Sequence, residues 1–148
     1  MNRSARGGPR EKSWSVAIID DNSVYFNAVG SVLATLGWPV TTLALALERT
    51  APLIRKVRAH DPELIMIGAW QCSAAGLAVM RQLLAARLRS SLLVVHDGGH
   101  PCGGPSLAER IDRHEGLIAC TATELDTFLC AELARHDMPA ADAPPPRV

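Results

Sequence analysis

Ser15-Val-Ala-Ile-Ile-Asp20 is an unbroken apolar run closed by an acid. A strand with one wet face would alternate apolar and polar residues. A run with no alternation belongs to a strand covered on both faces, as in a parallel sheet layered between helices. The same signature returns in Glu63-Leu-Ile-Met-Ile-Gly68, introduced by the breaker Asp61-Pro62, and in Ser91-Leu-Leu-Val-Val-His96. Weaker strands are expected at 39–43 and 116–120. Segments of helical period separate all five, so the pattern predicts an α/β fold: a doubly wound, five-stranded parallel sheet of five βα units.

The first helix is expected over 23–36, with Val29, Val32, Leu33 and Leu36 on one stripe and Gly37 ending it. The second spans 50–59, where Thr50 can cap, Pro52 sits in the tolerant first turn, and Leu53, Ile54 and Val57 face inward. The third covers 74–88, its buried stripe read as Leu77, Met80, Leu84 and Leu88. Ser106 and Glu109 have capping-box spacing before a short fourth helix. Thr123 is the expected cap of the last, which carries Leu125, Phe128, Leu129 and Leu133.

A chain of 148 residues, 48% hydrophobic, can bury one sizeable core. Residues 13–136 are expected to form that domain. The Arg/Gly/Ser-rich residues 1–12 and the Ala/Pro-rich residues 137–148 read as disordered tails. Fifteen basic and fifteen acidic side chains cancel, so no global field favours nucleic acid or an anionic membrane. Arg81, Arg87, Arg89, Arg110, Arg113 and Arg135 are spread along helices, not clustered as a DNA-reading surface requires. No apolar run approaches the roughly 20 residues of a membrane-spanning helix. Cys72, Cys102, Cys120 and Cys130 show no paired spacing, and no apolar leader follows the basic N-terminus, which points to a soluble protein in a reducing cytoplasm.

In an open parallel sheet, ligands bind beyond the carboxyl ends of the strands. The residues there are Asp20, Asp21, Asn22, Gly68, Ala69, His96, Asp97, Cys120 and Thr121. Adjacent carboxylates at Asp20 and Asp21 suit a hard cation such as magnesium. They equally suit a loop cap followed by a helix cap. The residues alone leave both readings open.

Val16-Ala-Ile-Ile-Asp-Asp-Asn22 resembles the first strand and acidic pocket of bacterial response-regulator receiver domains, which have a flavodoxin-like fold. Leu36-Gly-Trp-Pro-Val40 is similar to their turn into strand two. Asp61-Pro-Glu-Leu-Ile-Met-Ile67 is similar to their approach to the phosphoacceptor, with Gly76-Leu77 in place after it. The resemblance covers about 13–135. It puts Gly68 at the position of the phosphoacceptor aspartate, Cys72 at that of a proline, His96 at that of the switch serine or threonine, and Cys120 or Thr121 at that of the phosphoryl-pairing lysine. No lysine occurs after Lys56. Glycine has no group to carry an acyl phosphate. What the resemblance implies is therefore a pseudo-receiver with a vestigial acidic pocket at Asp20 and Asp21 and at most weak magnesium binding. It also implies a partner or dimer surface on the fourth helix, fifth strand and fifth helix, including Leu107, Ile111, Leu125, Phe128 and Leu129.

Other constellations rank lower. His96, Asp97, His100 and Cys102 are acceptable zinc ligands but lack regular spacing, so no metal site is expected there. Gly99 and Gly104 are spaced like a phosphate cradle, yet Pro105 stands where the lysine is needed. The leading expectation is a stand-alone, phosphorylation-independent module that binds a protein or its own copy, with direct contact to nucleic acid or membrane disfavoured. The alternative is a small-metabolite sensor using the vacated pocket, with Trp70, Asp97 and His100 on its rim. Enzymatic activity is not expected, because no nucleophile has a paired base and no dinucleotide fingerprint follows strand one.

Overall fold

The computed structural model describes residues 13–20, 22–45, 50–69, 74–86, 88–96 and 104–137. In chain order these form β1 (Val16–Asp20), α1 (Val24–Thr35), β2 (Val40–Ala44), α2 (Thr50–His60), β3 (Leu64–Gly68), α3 (Ala74–Ala85), β4 (Ser91–His96), α4 (Leu107–Asp112), β5 (Leu117–Thr121) and α5 (Ala122–Asp137). The strands make one parallel sheet in the order β2-β1-β3-β4-β5. The expected α/β fold is present. Helix α5 runs through Asp137, one residue past the boundary read from the sequence, while 1–12 and 138–148 lie outside the described residues.

Every residue of β1 and β3 is buried, as their unbroken apolar runs require. Successive side chains point to opposite faces of a strand, so the two strands feed two separate layers. Val16, Ile18, Leu64 and Met66 join Phe26, Val29 and Leu33 of α1 and Leu125, Phe128 and Leu129 of α5 in the first cluster. Ile19, Ile65 and Ile67 join Leu53 and Val57 of α2 and Val79 and Leu83 of α3 in the second. Three aromatic rings close the bottom of the first layer: Trp14 meets Trp38 edge to face at 5.0 Å, and Phe128 lies 6.1 and 6.3 Å from the two.

Helix α1 begins and ends as its sequence predicts. The Ser23 hydroxyl accepts from Phe26 N–H at 3.2 Å. Gly37 follows the C-cap with φ +79°, a conformation that glycine adopts without steric penalty. Helix α3 differs from expectation. It ends at Ala85, and its buried stripe is Gly76, Val79 and Leu83, whereas Leu77 and Leu84 are about half exposed. Met80 and Leu88 are partly buried against the second cluster. Only Arg81 and Gln82 are polar in this helix, so two adjacent stripes have equal apolar character and periodicity cannot choose between them. Packing against α2 makes the choice.

Neighbouring leucines thus provide a direct check of the rotation of α3. Leu83→Ala should cost about 2–5 kcal/mol of unfolding free energy by denaturant titration, and Leu84→Ala no more than about 0.5 kcal/mol. Equal losses would mean that the helix is turned the other way.

Candidate functional site

In the strand order β2-β1-β3-β4-β5 the chain changes direction across the sheet between β1 and β3, and the crevice beyond those two strand ends is where such folds bind ligands. Asp20 and Gly68 end β1 and β3. Ile19 pairs with Ile67 in the sheet, so Asp20 and Gly68 stand side by side one step further. On the far side Gly68 pairs with Val95, and His96 pairs with Thr121. The floor of the crevice is therefore Asp20, Gly68, His96 and Thr121, the positions singled out by the sequence.

Their local bonding is structural. Asp20 is 1% exposed, and its Oδ2 accepts from Ser23 N–H at 2.8 Å, tying the strand end to the cap of α1. Asn22 sits between them at φ +74°, which asparagine tolerates better than most residues, and its Oδ1 accepts from Asn27 Nδ2 at 3.1 Å. Gly68 is buried and offers only backbone. His96 is half-buried at the end of β4. Thr121 is buried, and its Oγ1 accepts from Glu124 N–H at 3.0 Å while Glu124 Oε1 accepts from Thr121 N–H at 2.9 Å.

That reciprocal pair is a capping box, and it corrects the expected start of α5 from Thr123 to Thr121. The signal was available as Thr121-Ala-Thr-Glu124, but Thr123 competed as a cap and has no glutamate three residues on. Thr121, at the end of β5, is thereby committed to starting α5. Among the described residues no group of three His, Cys, Asp or Glu side chains could hold a metal ion. Asp21, the other half of the acidic pair, lies outside the described residues, as do Trp70, Cys72, Asp97, His100 and Cys102.

The expected partner surface requires correction. Leu107, Ile111, Leu125, Phe128 and Leu129 are all buried, between 0% and 6% exposed, and belong to the first cluster. They hold α4 and α5 on the sheet and are unavailable to a partner. Cys120 is buried among them; burial pushes its thiol up to about 12, with the Glu124 carboxylate adding to the shift and Arg110 opposing it. One feature of this layer escaped the sequence altogether. The Tyr25 hydroxyl donates to Asp126 Oδ1 at 3.0 Å and lies 3.3 Å from Ala122 O, bridging α1 to α5 across about a hundred residues of sequence. Burial, reinforced by the Asp126 carboxylate, raises its pKa above the ordinary phenol value.

No protein-family model and no curated protein matches the sequence. Solved structures do match its fold. NtrX from Brucella abortus, in complex with ADP, is 16% identical over 84% of this chain and 27% of its own, with a TM-score of 0.51. The methanol:cobalamin methyltransferase complex MtaBC from Methanosarcina barkeri is 13% identical over 86% of this chain and 53% of its own, at 0.52. The signal receiver domain of NarL from Mycobacterium tuberculosis is 15% identical over 84% and 99%, at 0.48. The chain spans about a quarter of NtrX and half of the methyltransferase chain. The architecture they share is a doubly wound parallel α/β fold. A methyltransferase complex shares it, so fold alone does not select a chemistry.

At pH 8 a thiol with a pKa of about 12 is ionised in only about one molecule in ten thousand. Iodoacetamide followed by peptide mass mapping should therefore label exposed Cys130 and leave Cys120 unmodified in the folded protein. Equal labelling of the two would show that α5 opens from the sheet far more readily than its packing implies.

Proposed function

We propose that this chain is a receiver-like signalling module that works by binding a protein and not by accepting a phosphoryl group. The observation that carries the reading is Gly68: buried, beside Asp20 and at the switch point of the sheet, where the sequence resemblance would put the phosphoacceptor. Acyl-phosphate formation needs a carboxylate there, and phosphoryl transfer needs cationic groups around it to stabilise the developing charge. Asp20 is engaged by the backbone of α1, and Thr121 is engaged in the cap of α5. Neither can replace the missing pair without dismantling a helix start.

Binding function is supported by what the fold retains. The strands β1 and β3 are fully buried and the helices around them bury their inward stripes, so the scaffold serves as a rigid platform. No helix of the described residues is long and apolar enough to cross a membrane. The proposed setting is a two-component type of signalling pathway in a bacterial cytoplasm, with a protein partner or second copy as the target.

Incubation with acetyl phosphate and magnesium, followed by intact-mass analysis at neutral pH, should give no phosphorylated species above that of an Asp20→Asn control. A stable adduct of 1:1 stoichiometry that Asp20→Asn abolishes would sink the reading.

A further inference from the structure

Among the described residues an apolar face lies open beside α3, on the side of the sheet away from α1 and α5. Its cause is α4. This helix has only six residues, and it packs Leu107 and Ile111 into the cluster of α1 and α5. Arg110 Nη1 donates to Ala119 O at 2.9 Å, so α4 is fastened to the edge of β5 and does not lie across the opposite face. On that face β5 presents Leu117, 52% exposed, and Ala119, also exposed, next to half-buried Val94 of β4. Leu77 and Leu84 of α3, 49% and 51% exposed, form the adjoining wall. Leu84, Leu88 and Leu117 line a groove of about 240 Å³ at its lower end. Three of the four large apolar side chains exposed among the described residues thus lie on one side of the molecule; the fourth, Val24, is on α1. A contiguous exposed apolar surface of this kind marks an interaction site.

Charge identifies the occupant. Between Ala74 and His96 the sequence has Arg81, Arg87 and Arg89 and no aspartate or glutamate. Arg89 is paired with Asp61 at 3.0 Å. Arg81 is exposed and lies on the leucine stripe itself, four residues after Leu77 and three before Leu84. A second copy docked face to face would bring Arg81 against Arg81. Length also fits a helix: the twelve residues of α3 rise about 18 Å and the six of β4 about 20 Å, enough for roughly three helical turns alongside.

We infer that this face receives an amphipathic helix of a partner protein, its apolar stripe on Leu84, Leu117 and Val94 and its acidic residues toward Arg81. The inference rests on the protein-binding reading above and gives that reading a surface and a partner chemistry. Placing the photo-crosslinker p-benzoylphenylalanine at Leu117, and separately at Val24 on the opposite side, tests it in the full chain within its native cells. Both side chains are exposed, so the fold is retained, which circular dichroism verifies. The expected result is an adduct from Leu117 and none from Val24, with the crosslinked partner segment carrying an apolar helical stripe flanked by acids. Arg81→Glu should lower its yield several-fold. An adduct from Leu117 to this same chain, or to a basic or non-helical segment, would overturn the inference, as would an adduct from Val24 alone, which leaves protein binding standing. No adduct from either position would remove both.

Discussion

Burial of β1 and β3 on both faces is the constraint from which the rest of the molecule follows. Ten consecutive-register positions, Val16–Asp20 and Leu64–Gly68, are shielded from water, and their backbone groups must find partners within the sheet. Parallel pairing meets that need only if each strand is followed by a crossover that returns the chain to the same end. The crossover helices then cover the two faces, and alternation of side chains sorts Ile18 and Met66 into one layer and Ile19 and Ile67 into the other. The acid at the end of β1 is carried inside by the same burial. Its carboxylate is kept there by an N–H of Ser23, and through that bond the strand fixes where α1 begins.

The positions of the strands along the chain and the nature of their ends were legible in the sequence because both depend on local composition. Unbroken Val/Ile runs identify buried strands wherever they fall, and Gly37 and Ser106 mark helix boundaries through their own backbone chemistry. Features that depend on which elements meet were not legible. Leu84 and Leu83 are chemically identical, and only the contact of α3 with α2 decides which one is buried. Thr121 and Thr123 are both competent caps, and the glutamate partner at Glu124 decides for the first. Leu107 and Ile111 look like surface candidates on a six-residue helix, yet the fold draws them into the core between β5 and α5. The Tyr25–Asp126 bond joins segments too far apart in sequence for any local pattern to reveal.

At the floor of the crevice lie a glycine, a threonine held in a helix cap and a carboxylate held by the N–H of a helix cap, so these groups tie strand ends to helix starts. Elsewhere the same domain departs from full coverage, because α4 is too short to cover both the edge of β5 and the sheet face beside α3. The role proposed for this design is to hold a partner without being switched by phosphate.

That claim is tested most directly by amide NMR spectra of the purified chain recorded while magnesium and then beryllofluoride, a mimic of the aspartyl phosphate, are added. Unchanged resonances for Asp20, Gly68, His96 and Thr121 are the predicted result. Saturable shifts confined to those strand ends would contradict it, since they would show a crevice that still senses metal and phosphate.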